Sequence, residues 1–424
     1  MSTRFMRVFT LAALITVVSV VGIASASTKR THATTLNVLA WKGGPGAPAN
    51  ITQINAAFEA AHPDIKLNWT VLTGASDAEY MASASTKFAA GDAPDVVMLD
   101  PLKMRTWASQ GFLADLSAES WVKKQNPIFD PFSRVGGKTY QIIQENIGVG
   151  LYVNLDLLKK AGIKAPPQNW PQFLEALATL KAKNINGFLF ANKGGWAGNN
   201  VASMLATNTV YKQTPNWGAL FNQGKRHFNP DWAPVVDQMR ELFAKKLVDP
   251  KLMLGIDPWN AGLAQFKAGK WAFMIQGAWE LTDFKANAKF HFAFMPFPGG
   301  PAGTLSRGFT FVGSGLAANA KSPNLAAAKQ YLAFWSTAKA LDLYDSAETA
   351  FATIKGVKPV LAPEAAPFVK AYTEGRTIVS PPQGWTNPNG EGEMITIFQQ
   401  LFVNPNTSNS KILSNLDKAI FKKG

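Results

Sequence analysis

Hydrophobic positions in the first hundred residues or so switch between two spacings. Leu36–Ala40 reads as a strand. Ile51, Ile54 and Phe58 then recur at helical spacing, and His62-Pro63 closes that helix. Ile65–Leu72 reads as a second strand and Glu79–Ala89 as a second helix, closed by Gly91. Asp95–Leu99 is a short apolar run of the kind buried on both faces of a parallel sheet. The order strand, helix, strand, helix, strand predicts a doubly wound α/β unit.

The stretch Gly137–Lys181 predicts a passage from this unit into another. Gly136-Gly137 is a turn, and Thr139–Ile143 and Ile147–Val153 carry the β-branched and aromatic residues of strands. Polar Gln144-Glu145-Asn146 separates them, as expected of a crossover between two lobes. Asn154 caps a helix Leu155–Ala161 that Gly162 stops. Asn169 caps the next, with Gln172 in the position of a capping-box partner and Phe173, Leu177 and Leu180 as its apolar stripe.

Further on, Asn186–Phe190 predicts a strand and Ala191–Asn200 a polar loop around Trp196. Val235, Met239, Leu242, Phe243 and Lys246 trace an amphipathic helix, and Leu263–Ala268 another, ended by Gly269. Trp271–Ile275 reads as a buried strand, Met295–Gly303 as a Pro/Gly loop, and Thr310–Ala317 as a crossing back to the first lobe. Leu325, Ala328, Leu332 and Trp335 form a helix for that lobe, and Met394–Phe402 a late helix after an Asn/Gly/Glu loop.

Length agrees with two domains, since 424 residues exceed one ordinary core. The N-terminus has the form of an export signal: Arg4 and Arg7, an apolar run Phe9–Val21 too short for a comfortable membrane span, and Ala24-Ser25-Ala26 as the cleavage site. The mature chain is expected to start near Ser27. With no Cys there is no disulfide framework, thiolate metal site or Cys nucleophile, and no lipid attachment to a junction Cys. Without Arg4 and Arg7 the formal charge falls by two from +14. No Lys/Arg block or nucleic-acid motif concentrates that charge, so a scattered basic surface is expected and no nucleic-acid partner.

In doubly wound sheets ligands bind beyond the carboxyl ends of the strands. Trp41 and Lys42 follow the first strand and Asp100 the third, which makes them candidate ligand residues. A core Trp capping the sheet is the alternative for Trp41, and a helix cap the alternative for Asp100. Trp279 is the strongest candidate, with a core Trp as the alternative: it follows the strand end at Gln276, and small Gly277 and Ala278 let a ligand approach. Trp385, after Pro381–Gly384, is expected to close the cleft from the second lobe.

Catalytic motifs fail on spacing. No H-E-x-x-H accompanies the four His; the residue where Gly137-Lys138-Thr139 would need the first P-loop glycine is Phe132; Gly313-Ser314-Gly315 is not G-x-S-x-G. Asp100 and Glu280 are a possible carboxylate pair for a secreted carbohydrate-active enzyme, the least favoured reading.

Consecutive blocks then resemble one family. FEAAHPDIKLNWTVL (Phe58–Leu72), STKFAAGDAPDVVMLD (Ser85–Asp100), WASQGFLADLS (Trp107–Ser117), GKTYQ (Gly137–Gln141) with YVNLDLLKKAGIKAPPQNWPQFLEAL (Tyr152–Leu177), FKAGKWAFMIQGAW (Phe266–Trp279) and FTFVGSGLAANAKSPNLAAAKQYLAFW (Phe309–Trp335) are similar to those of family 1 extracellular solute-binding proteins. These are the sugar-binding subunits of ABC importers, similar in kind to maltose-binding protein. The resemblance implies two doubly wound α/β lobes of the type II periplasmic-binding-protein kind, joined by a three-segment hinge with a third crossing near Ala350–Gly356. It implies a signal peptide over 1–26, lobe one over 27–146 and 311–352, and lobe two over 147–310 and 353–424. By its place after a strand, Trp196 corresponds to an aromatic that packs on sugar; a loop Trp folded on its own lobe is the alternative. The family's hinge carboxylate aligns with Ile147, so Glu145 or Asn146 is expected to serve in its place. Val153 stands where the family often has an aromatic, and Asn169-Trp170 replaces its Thr-Trp pair.

The function implied is capture of a carbohydrate between the lobes and delivery to the membrane subunits of an importer, by a periplasmic or extracellular monomer without cofactor or metal. A binder of a non-sugar solute, such as a polyol phosphate, is the alternative, and Lys42 and the basic charge favour it slightly.

Overall fold

The computed structural model describes residues 33–43, 50–72, 77–387 and 389–421, so the export-signal reading of residues 1–26 lies outside the described residues. Its first unit follows the predicted alternation: strand Thr34–Ala40, helix Ile51–Ala61, strand Ile65–Val71, helix Asp77–Ala90, strand Val96–Leu99. The Ile51, Ile54 and Phe58 face of the first helix is buried, and all of Val96–Leu99 is buried. In the sheet, Ile65–Val71, Thr34–Ala40 and Val96–Leu99 run parallel. Gly315–Ala318 and then Ile142–Ile143 complete it antiparallel. These last two strands come from the two crossings, which closes lobe one only after the chain has visited lobe two.

The second sheet has the order Thr377–Val379, Gly308–Val312, Asn146–Asn154, Phe273–Gly277, Phe188–Leu189, with Phe292–Met295 also paired to Asn146–Asn154. Every residue of Asn146–Asn154 is buried, as a central strand covered on both faces requires. The predicted caps hold helices at its exit. Asn154 Oδ1 accepts from Leu157 N at 3.0 Å, and Asn169 Oδ1 from Gln172 N at 3.2 Å. The Gln172 side chain accepts from Gln168 N, one residue before the capping-box position.

Three local expectations are corrected. Thr139–Ile143 is not one strand: Lys138–Thr139 forms a hairpin with Arg134–Val135 around two left-handed glycines, while Ile142–Ile143 joins the first sheet. Ala191–Asn200 is not all loop, because a helix starts at Trp196 and runs to Gln213. That helix is buried on nearly every side, so it shows no apolar stripe for periodicity to detect. The late helix begins at Gly390 rather than Met394.

Three segments pass between the lobes, side by side. Gln144–Glu145 leads from the first sheet into the second, and Gly313–Ser314 leads back, two residues beyond the expected boundary. Gln144 N donates to Ser314 O at 3.0 Å. After the helix Ala338–Glu348 the chain touches the hinge, where Phe351 N donates to Asn146 O at 2.7 Å, but Ile354 and Val357 still pack in the lobe-one core, so the third segment passes to lobe two after Val357 rather than at the expected boundary of 352. Any Cβ at position 313 would overlap the Glu145 carboxylate, which explains the glycine there.

Candidate functional site

Lobe two presents an aromatic wall beside the hinge. Trp279 follows the strand Phe273–Gly277, and its ring folds back over Gly277, where a side chain would collide with it. Trp196 opens its helix directly after Gly195, whose φ of 81° suits glycine. Trp259 projects from a turn held by Asp257, which accepts from Trp259 N at 3.2 Å and from Asn260 N at 3.0 Å. The Trp196 and Trp259 centroids are 4.8 Å apart. Trp279 lies 6.4 Å from Trp196 and 6.3 Å from Trp259. Phe311 meets Trp279 edge-on at 5.8 Å. Trp196 and Trp279 are half-buried, and Trp259 keeps 43% of its surface exposed. In the helix that Trp196 opens, Asn199 Nδ2 reaches Glu391 Oε1 at 3.4 Å.

Lobe one supplies Trp41, Lys42 and Asp100 at the carboxyl ends of its strands. Trp41 packs edge-on against Tyr80 at 5.2 Å, and the Lys103 ammonium lies 5.6 Å from the Trp41 ring centre. Asp100 caps the helix Pro101–Ser109, accepting from Lys103 N at 2.8 Å, and pairs with Lys103 Nζ at 3.3 Å. The capping role weighed as its alternative is therefore present.

Lys42 ties the crossings together. Its Nζ donates to both oxygens of Glu145, at 2.9 and 3.1 Å, and to Glu348 at 3.0 Å. Glu145 in turn accepts from Ser314 N at 2.9 Å and Ser314 Oγ at 3.1 Å, and Ser314 Oγ lies 2.7 Å from the Tyr344 hydroxyl. One amine thus links the first crossing directly to the residue that ends the helix before the third, and through Glu145 to the second. Burial alone would lower the Lys42 pKa, but Glu145 and Glu348 outweigh it and hold the amine charged. Burial raises the Glu348 carboxyl, with Lys42 opposing. Asp345, buried and without a hydrogen-bond partner, is pushed well above the carboxylate range by burial and by Glu145. Glu280, next to Trp279, is pushed up to about 7 by burial and by Asp283.

Two expected ligand residues are corrected. Trp385 is fully buried in the lobe-two core, 5.7 Å from Phe221 and 5.4 Å from Phe228. The turn Pro381–Gly384 directs its ring inward, and only its carbonyl reaches lobe one, through Arg105 Nη1 at 3.0 Å. Asn146 points away from the aromatic wall: its neighbour Ile147 pairs with Phe311, and successive strand residues face opposite sides. Glu145 stays at the hinge, but its carboxylate is engaged by Lys42 and Ser314. Trp259 and Phe311 were missed. The signal for Trp259 was Asp257-Pro258-Trp259-Asn260 just before a helix, a turn that presents its third residue.

Two α/β lobes, three hinge segments and an aromatic wall beside them define a two-lobed solute-binding architecture. The comparisons agree. The family model described as bacterial extracellular solute-binding protein matches residues 43–341, and the chain belongs to that family. A multiple sugar-binding protein of Streptococcus mutans is 25% identical over 382 residues, covering 88% of this chain and 87% of the relative. A family 1 extracellular solute-binding protein from Bifidobacterium longum subsp. infantis has the same fold, with a TM-score of 0.71 at 22% identity, covering 91% and 98% of the two chains. A sugar transporter protein of Bacillus licheniformis, solved with stachyose, superposes with a TM-score of 0.68 at 19% identity over 91% and 99%.

Proposed function

We propose that this protein captures an oligosaccharide between its lobes and presents it to the membrane subunits of an ABC importer. The observation that carries this is the wall of Trp196, Trp259, Trp279 and Phe311 beside the hinge. A wall of three indoles spans more than one pyranose ring and stacks on the apolar ring faces. Trp41, Asp100 and Lys103 supply polar groups from the opposite lobe, and Asn199 and Glu391 from the same lobe. Hydroxyls bonded by such groups give selectivity, because an analogue lacking one leaves a buried partner unpaired. Contacts made to both lobes only when they approach drive closure about the three crossings.

The stachyose bound to the Bacillus licheniformis protein and the sugar-binding relative in Streptococcus mutans support this ligand class. The polyol-phosphate alternative loses its main support, since Glu145 and Glu348 already neutralise Lys42. The reading involves no bond breaking. Membership of an extracellular family, the A-x-A site and the lack of Cys fit an exported protein without a lipid anchor. A thermal-shift panel of sugars, polyols and their phosphates tests the reading. A ligand at about a hundred times its Kd adds about 2.7 kcal/mol. Stabilisation by tri- or tetrasaccharides is expected; stabilisation by phosphates alone would overturn it.

A further inference from the structure

A cavity of about 560 Å3 lies on the far side of the hinge strands from the aromatic wall. Strand alternation places it there. On Gly308–Val312, Phe311 meets Trp279 while Thr310 lines the cavity; on Asn146–Asn154, Ile147 pairs with Phe311 while Asn146 lines the cavity. Both lobes build its walls: Phe129 and Phe132 come from lobe one, and Tyr211, Tyr372 and Ile378 from lobe two. Its volume is within the range of about 300–1,000 Å3 common for small-molecule sites.

The lining mixes Asn, Thr, Ser and Tyr side chains with apolar ones, and one of its polar groups stands out. Asn146 is 1% exposed, yet its Oδ1 has no hydrogen-bond partner. The Tyr372 hydroxyl hydrogen-bonds the same side-chain amide, leaving its Oδ1 as the open position. A buried acceptor left unpaired is costly, and a ligand donor would satisfy it. Arg105 straps the lobes at the rim. It donates to Pro131 O of lobe one at 3.0 Å and to the Gln383 and Trp385 carbonyls of lobe two.

We propose that this cavity is a second ligand site, for a compact, planar, largely apolar molecule with one N–H or O–H donor directed at Asn146 Oδ1. An occupant touching both walls stabilises the lobe arrangement of this structure, because rotation about the hinge changes their separation. By linkage it changes the affinity of the interlobe cleft, and cleft ligands change its affinity by the same factor. That coupling rests on the two-lobe binding reading; the site itself does not.

Indole and 1-methylindole, which lacks the donor, are the probes, titrated calorimetrically without sugar. Indole is expected to bind saturably and at least tenfold more tightly than 1-methylindole. Ala219→Trp, on the exposed cavity rim, should abolish both, and Asn146→Leu should remove the difference between them. Absence of saturation in the unaltered protein, equal binding of the two probes, or binding unaffected by Ala219→Trp would overturn the site. The Cys-free chain permits spin labels on cysteines introduced at exposed Lys285 of lobe two and Lys321 of lobe one. Saturating indole should narrow their distance distribution, and an unchanged distribution would overturn the coupling. Since indole is read without sugar, failure of the site leaves the oligosaccharide reading standing, and failure of the sugar panel leaves the site standing.

Discussion

Replacing Trp279 by Ala removes the centre of the aromatic wall, the one ring in contact with Trp196, Trp259 and Phe311 together. The ring is half-buried, so a sugar stacked on its free face would cover about 60–100 Å2, which at about 25 cal/mol per Å2 is about 1.5–2.5 kcal/mol. The ring-face interaction adds about 0.5–1.5 kcal/mol. The expected loss is about 2–4 kcal/mol, roughly 30- to 1000-fold in affinity. Trp279→Phe keeps a ring face and should lose about tenfold or less. The assay is calorimetric titration with the tightest sugar of the panel, beside a melting curve of the ligand-free protein. A severe loss of stability with the affinity of the folded fraction intact would refute the reasoning, because Trp279 would then act as core. Trp259→Ala is the cleaner companion. With 43% of its surface exposed, its removal should change stability by no more than about 1 kcal/mol while still weakening binding.

Trp385→Ala should do the reverse of Trp279→Ala: a cavity cost of about 3–5 kcal/mol in urea unfolding, with sugar affinity of the folded fraction unchanged. Lys42→Met leaves Glu145 and Glu348 buried without their cation. A loss of about 3–5 kcal/mol is expected at pH 8, shrinking as pH falls and the Glu348 carboxyl, already raised by burial, takes up a proton, and a pH-independent loss would count against the linkage. Glu280, raised from 4.5 to about 7, binds its proton more tightly folded than unfolded. Its charge therefore costs stability as pH rises through that window, in total about 3 kcal/mol above pH 7. Glu280→Gln should recover this at pH 8 and change little at pH 4, as read from paired melting curves.

What the sequence made legible was local. The spacing of Ile51, Ile54 and Phe58, the caps at Asn154 and Asn169, and the continuous run Val96–Leu99 each set an element through neighbours a few residues away. The position of Trp279 past the end of a buried strand was legible because such a strand end followed by two small residues is a local signal. Long-range meetings were not. Lys42 finds Glu145 103 residues further on and Glu348 306 residues further on, and no periodicity encodes that pairing. The helix from Trp196 was hidden because burial on nearly every side erases the stripe that marks a surface helix. Trp385 was misplaced for a related reason: a Trp after a Pro-Pro turn faces the core or the cleft according to how that turn packs on Phe221 and Phe228.

Small-angle scattering of the protein alone and saturated with the tightest sugar of the panel tests the central claim most directly. Capture between two lobes about a three-segment hinge predicts a smaller radius of gyration in the saturated sample. A radius unchanged at full occupancy, with binding confirmed on the same sample by calorimetry, would contradict it.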